Sequence, residues 1–160
     1  MADDRVFRDA AKLAAALAPL RRDRGPLVLA NGCFDVIHVG HVRYLRGAAE
    51  LGAILVVALN DDESTRLLKG AGRPIMVEDE RAEILLALQF VDFVLIFGGR
   101  TVDGIIRSLR PEIHAKGTDY TADTVPERDT AREVGCRTVI VGDPKGHSSR
   151  DIIRTIRGGA

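Results

Sequence analysis

Cysteine, net charge and long apolar runs are all scarce in this chain of 160 residues. Lys plus Arg and Asp plus Glu number 23 each, so there is no global basic field to hold a nucleic-acid backbone and no acidic tail. The two cysteines, Cys33 and Cys136, form neither a CxxC pair nor a metal-ligand cluster, which suits a reducing cytosol. No apolar stretch nears the roughly 20 residues needed to span a bilayer. The start, Met1-Ala2-Asp3-Asp4, lacks the basic and then apolar pattern of a signal peptide. The chain therefore reads as cytoplasmic, with no nucleic-acid partner and no membrane partner. Its length predicts a single domain over 1–160, with an N-terminal helix and linker at 1–25 and a core at 26–160. No repeat or low-complexity tract interrupts it.

Apolar residues at helical spacing, Val6, Ala10, Leu13, Leu17 and Leu20, predict a first helix that the Arg-rich Gly25-Pro26 segment stops. The run 27–30 reads as a short buried strand, and Val42, Leu45, Ala48 and Ala49 as one face of a helix. The β-branched run at 53–59 reads as a parallel strand covered on both faces. Helices are expected at 64–68, 78–88, 102–109 and within 126–134, with a last one from Ser149. Strands are expected at 93–97, 113–115 and 138–141. Strands alternating with helices imply an α/β fold, a Rossmann-like three-layer sandwich with a mostly parallel sheet. Ligands in such sheets bind beyond the carboxyl ends of the strands.

The segment His38-Val39-Gly40-His41 falls where the first buried strand gives way to a helix. Imidazoles donate one N–H when neutral and two when protonated, so a pair at a helix N-terminus can stabilise a phosphate that gains charge. Gly40 permits close approach. Alternatively, the two histidines merely close a turn. Lys69 and Arg73, in a glycine-flanked loop, could fold over a triphosphate or could be two solvated loop charges. In Lys116-Gly117-Thr118-Asp119-Tyr120, Gly117 permits close backbone approach and Asp119 can accept from a sugar hydroxyl or base amine, unless the segment is an ordinary turn. Gly146-His147-Ser148-Ser149 opens the last helix, where hydroxyls and free amides make an anion site, an N-cap, or both. Lys145 and Arg150 add positive charge beside it. Asn60, Asp61 and Asp62 could face the cleft, or Asp61 or Asp62 could cap the next helix; His114 reads as structural, and Arg81 could reach the cleft, with a solvated helix face as the default.

The run Asn31-Gly32-Cys33-Phe34-Asp35-Val36-Ile37-His38-Val39-Gly40-His41 resembles the signature of the HxGH nucleotidyltransferases, the cytidylyltransferase-like superfamily. The resemblance extends over roughly 26–156, through Leu68-Lys69-Gly70-Ala71-Gly72-Arg73-Pro74, the 116–120 segment and the 146–149 segment. Within that superfamily the sequence is most similar to the adenylyltransferases of heptose 1-phosphate, a domain fused to a heptose kinase in many bacteria. Here it is expected to stand alone. The resemblance implies transfer of AMP from ATP to D-glycero-β-D-manno-heptose 1-phosphate, giving ADP-heptose and pyrophosphate, with Mg2+ on the phosphates. It implies catalytic roles for His38, His41 and Lys69. Nucleotide contacts are expected from Cys33, Phe34, Gly40, Lys116, Gly117, Asp119, Gly146, His147, Ser148 and Ser149, and substrate contacts from Asp35 and Arg73. Asp35 could also fix the turn or reach a metal-bound water. No protein ligand of the metal is named.

Two other functions share these features. A CTP-dependent cytidylyltransferase acting on a polyol phosphate such as glycerol 3-phosphate would use the same HxGH chemistry. A nucleotide-binding sensor without turnover would need the fold but not the full set of charged groups. Relatives often form homodimers, although periodicity marks no exposed apolar seam here.

Overall fold

The structure is a computed structural model that describes residues 3–144 and 146–158. Among them run β1 (Val6–Phe7), α1 (Ala10–Arg24), β2 (Leu27–Gly32), α2 (Val39–Ala49), β3 (Ile54–Asn60), α3 (Asp62–Lys69) and α4 (Glu78–Leu86). Then follow β4 (Phe93–Phe97), α5 (Asp103–Leu109), β5 (Ile113–Lys116), α6 (Arg128–Val134), β6 (Arg137–Ile140) and α7 (Ser149–Ile156). The strands form one six-stranded sheet in the order β1-β4-β3-β2-β5-β6, every pairing parallel. This is the Rossmann-like three-layer α/β sandwich that the alternating pattern predicts.

The central strands are apolar up to their carboxyl ends, where Asn31 and Asn60 stand, because both faces are covered. Val28 and Ala30 of β2 and Leu55, Val57 and Leu59 of β3 point to one side, against Leu45 and Ala48 of α2 and Ala82 and Leu85 of α4. Their neighbours Leu27, Leu29, Ile54, Val56 and Ala58 point to the other side, against α1, α5 and α6. The period of two along each strand thus divides the core into two layers.

One element differs from expectation. Val6 and Phe7 belong to an edge strand, paired with Val94 and Leu95, and the helix begins only at Ala10. Asp9 ends the strand segment by capping the helix, its carboxylate accepting from the amides of Ala11 and Lys12 at 2.8 and 3.1 Å. Val6 lies four residues before Ala10, so it fits a helical stripe as well as a strand. A two-residue strand has no period of its own to distinguish the two.

Strand order reverses at β2. From β2 the chain moves outward through β3 to β4, then returns to β5 on the other flank of β2. Connections after β2 and β5 therefore diverge to opposite faces and leave a crevice at their carboxyl ends, the usual ligand position in an open parallel sheet. The HxGH segment follows β2, and residues 117–120 follow β5.

Candidate active site

The chain leaves β2 through a tight loop in which Phe34 and Val36 both have positive φ, 48° and 63°. A β-branched residue is rarely found there, so surrounding contacts must hold this backbone in place. His38 then caps α2 with an extended backbone. Its Nδ1 accepts from the Gly40 amide at 3.1 Å, and His41 Nδ1 accepts from the His38 amide at 3.3 Å. Both Nδ1 atoms are acceptors, so in each neutral ring the proton sits on Nε2. The rings stack with centroids 3.9 Å apart. Burial, with smaller contributions from His38 and Lys69, pushes His41 down to about 4. Burial and His147 also lower His38. At neutral pH the pair presents two neutral Nε2–H donors. A Cβ at position 40 would meet His38 Cε1 at 2.9 Å and Nδ1 at 3.0 Å, so any larger residue there displaces the capping ring.

The strained loop is held from below. Asp35 is buried, and its carboxylate accepts from Arg73 Nε at 2.6 Å and from the amides of Ile75 and Met76 at 2.8 to 3.0 Å. Burial alone would raise its pKa, but the guanidinium and the two amides outweigh that and hold the carboxyl below its usual range. Arg73 is therefore fixed to Asp35. Asp35 thus fixes the turn, one of the two roles considered for it, and Arg73 is not a solvated loop charge. Lys69 ends α3 as an exposed side chain near enough to influence His41.

Arg81 corrects the expectation of a solvated helix face, since it is completely buried. Its Nη1 donates to the carbonyls of Cys33 at 2.6 Å and Asn60 at 2.8 Å. Its Nε donates to the Met76 carbonyl at 3.0 Å, and its Nη2 to Asp62 Oδ1 at 2.7 Å. One guanidinium thus joins the carboxyl ends of β2 and β3, the start of α3 and the segment before α4. The only signal in the sequence is its place beside Ala82 and four residues before Leu85, both core residues. Asp61, as anticipated, caps α3 by accepting from the Ser64 amide at 2.7 Å.

Cys33 and Phe34 are buried as well, with their side chains packed into the domain. The Phe34 ring meets His41 edge-on with centroids 5.2 Å apart. Lys116 is turned inward: its Nζ lies 3.8 Å from Glu127 Oε2, 3.4 Å from Asn31 Oδ1 and 4.4 Å from the Tyr120 ring centre. Burial lowers its pKa while Glu127 opposes the shift. His114 is structural, as expected; it is buried, shares a 3.0 Å hydrogen bond with Asn31 Oδ1, and is pushed by burial down to about 3. Gly117 and the exposed Asp119 continue to the crevice rim, where Thr118 Oγ1 donates to the Asp143 carbonyl at 2.7 Å.

Ser148 caps α7, accepting from the Asp151 amide at 3.1 Å, and Ser149 is the first helical residue. His147 stands across from the HxGH turn; a Cβ on Gly40 would lie 3.7 Å from its own. Gly146 precedes it on the exposed surface, and Lys145 lies outside the described residues. The fold thus gathers His38, Gly40, His41, Lys69 and His147 around one helix start, whereas Lys116 faces inward. Among the described residues no three His, Cys, Asp or Glu side chains converge on a point that could hold a metal ion. Nor is any described helix long and apolar enough to cross a membrane.

Paired Nε2–H donors at a helix start, at the point where a parallel sheet reverses its order, make a crevice suited to a phosphate group. The family model described as cytidylyltransferase-like matches residues 29–155, and the chain belongs to that family. It is 44% identical over 148 residues to the bifunctional protein HldE of Desulfatibacillum aliphaticivorans, covering 92% of this chain and 30% of that protein. It is 46% identical over 147 residues to the HldE of Geotalea uraniireducens (strain Rf4), covering 91% and 30%. The chain thus spans about 30% of the length of these curated relatives. Among solved structures it is similar to a lipopolysaccharide core biosynthesis protein from Thermoplasma volcanium GSS1, with TM-score 0.64 and 25% identity over 75% of this chain and 98% of that one. Pantothenate synthetase from Thermus thermophilus shares the fold, with TM-score 0.63 and 18% identity over 92% of this chain and 67% of that one.

Proposed function

We propose that the chain transfers AMP from ATP to a sugar 1-phosphate, D-glycero-β-D-manno-heptose 1-phosphate, giving ADP-heptose and pyrophosphate. The observation that carries this reading is the backbone capture of both Nδ1 atoms, which leaves two neutral Nε2–H donors side by side at the start of α2. The heptose rests on the signature resemblance and on 44 to 46% identity to the two HldE proteins. A lipopolysaccharide core biosynthesis protein among the structural relatives is in keeping with it.

In this reading a phosphate oxygen of the sugar phosphate attacks the α-phosphorus of ATP in line. The new P–O bond forms as the bond to the β-phosphate oxygen breaks, and pyrophosphate leaves with the electron pair. A phosphate monoester is already ionised near neutral pH, so no strong base is required. His38 and His41 donate to the crowded α-phosphate oxygens, and the Lys69 ammonium balances the charge that develops. The backbone at 33–34, Gly40, Gly117, Asp119 and residues 146–149 holds the nucleotide, while Asp35 and Arg73 shape the wall beside the acceptor. Mg2+ enters with the triphosphate as part of the substrate, since it binds readily to phosphates and water.

A pyrophosphate-release assay tests the reading, with ATP or CTP as donor and heptose 1-phosphate or glycerol 3-phosphate as acceptor. Release is expected with ATP and heptose 1-phosphate. Turnover only with CTP and the polyol phosphate overturns both substrate assignments, and no release with any pair favours a sensor without turnover.

A further inference from the structure

The ladder between β2 and β5 pairs Val28 with Ile113 and Leu29 with His114 and stops there, although β2 continues beside β3 as far as Gly32. Beyond Leu29 side chains join the two strands instead. On the α2 side the Tyr44 hydroxyl accepts from the backbone N–H of Asn31 at 3.3 Å and donates to the Ala115 carbonyl at 2.8 Å. On the opposite side, which Asn31 shares with Leu29 by the period of two, the Asn31 carboxamide takes two donors from β5. Its Oδ1 lies 3.0 Å from His114 Nε2 and 3.4 Å from Lys116 Nζ. Asn31 thus stands where the sheet parts to open the crevice.

An ammonium only donates, so the amide atom facing Lys116 is the oxygen. His114 must then donate from Nε2, which leaves its Nδ1 a buried acceptor without a hydrogen-bond partner. Two donors on one side fix how the amide is turned. Its trigonal geometry directs Nδ2 away from them, and no described residue accepts from that nitrogen. Asn31 is only partly buried, whereas His114, Lys116 and Glu127 are buried. Glu127 sets the local charge: its Oε1 accepts from the Val102 amide at 3.2 Å, and its Oε2, 3.8 Å from Lys116 Nζ, balances the ammonium. A neutral N–H2 group in a neutral setting suits an uncharged oxygen, whereas the strong bonds to phosphate come from charged donors.

We propose that Asn31 is a specificity residue of the crevice, donating from Nδ2 to a sugar hydroxyl of a bound substrate, and that His114 and Lys116 are positioning residues that keep this nitrogen outward. Both substrates of the proposed transfer carry such hydroxyls, on the ribose of the nucleotide and on the ring of the sugar phosphate. The inference deepens that reading and rests on it for the identity of the sugar.

Calorimetric titration reads the role of Asn31 without turnover, using ATP and heptose 1-phosphate, each beside analogues that lack one sugar hydroxyl. In the wild type one such deletion is expected to weaken binding about three- to tenfold, the worth of a single neutral hydrogen bond. In Asn31→Ala the same deletion should cost nothing, because the donor is already gone. The ligand that shows this loss identifies the sugar, ATP pointing to the ribose and heptose 1-phosphate to the acceptor. Equal effects of every deletion in the two proteins, or no binding by the wild type, overturn the role. His114→Gln should keep the wild-type ratio and His114→Leu reduce it; equal ratios in those two variants overturn the positioning. If Asn31→Ala does not fold, the side-chain amide resonances of Asn31 in the NMR spectrum of the wild type decide. They should shift with the complete ligand and stay near their free positions with the analogue, and equal shifts overturn the hydrogen bond. Hydroxyl selection that Asn31→Ala abolishes, with no pyrophosphate release by the wild type from any donor, sinks the proposed activity and leaves Asn31 in its role. Release without selection does the reverse.

Discussion

Arg73 Nε donates to the Asp35 carboxylate at 2.6 Å, joining residues 38 positions apart, and the Asp35 side chain has no exposed surface. The pair fastens the loop after Lys69 to the strained turn before His38. Removing one partner of a buried pair strands the other, which makes the pair a direct test of that attachment.

Asp35→Ala is expected to destabilise the protein by about 3–5 kcal/mol, because the guanidinium and two amides lose their acceptor together. Urea unfolding measures it. A loss of under about 1 kcal/mol would show that the loop is held by something else.

Arg81→Met preserves much of the side-chain volume but takes the guanidinium donor from three carbonyls and Asp62, leaving the Asn60 carbonyl only the Thr65 hydroxyl. A cost of about 3 kcal/mol or more follows from the unsatisfied buried acceptors. A readout specific to the turn is the His41 imidazole titration followed by NMR, which should move from about 4 toward the ordinary value as the turn loosens and water enters. An unchanged titration would mean that Arg81 supports the core without shaping the turn.

In the proposed reaction His41→Ala removes a donor to the reacting phosphate, and in the fold it removes an acceptor for the His38 amide. Turnover should fall on the order of a hundredfold or more, while loss of the cap costs only about 1 kcal/mol of stability. Pyrophosphate release and thermal unfolding, measured on the same sample, separate the two effects. Wild-type turnover in a folded variant would remove His41 from the mechanism.

Acid should destabilise the fold through its neutral histidines. His41 at about 4 and His114 at about 3 both lie below the ordinary value of 6.5. The unfolded chain therefore takes up protons first, and the stability present above about pH 6.5 is lost as pH falls toward the folded values, at about 1.4 kcal/mol per pH unit for each group. His114→Gln, which keeps a donor for Asn31, should reduce the slope between pH 6 and pH 5 by one proton. Parallel urea midpoints for the two proteins across that range would refute it.

The central sheet is legible in the sequence because strands covered on both faces carry continuous apolar runs, as at 54–59, and helices with polar caps interrupt them at regular intervals. The HxGH turn is legible too, since its glycine and both imidazoles lie within four consecutive residues. Arg81 was not. Its partner carbonyl at Cys33 is 48 positions away, and a buried arginine has no local signature that separates it from a solvated one. For Lys116 the family resemblance implies a nucleotide contact, yet its acidic partner Glu127 becomes visible only when α6 folds back beside β5. Tertiary pairing of charges, rather than secondary structure, is where one-dimensional reading ended.

The reciprocal histidine cap gives each ring two employments, one nitrogen for the helix and one for the crevice. Serine or aspartate at position 38 could start α2 equally well, so folding alone places little demand for imidazole there. A chain relieved of catalysis would be free to drift toward those simpler caps, whereas one that performs the transfer cannot. In the proposed reaction, then, exchanging His38 for one of those simpler caps leaves α2 in place and takes a donor from the crevice.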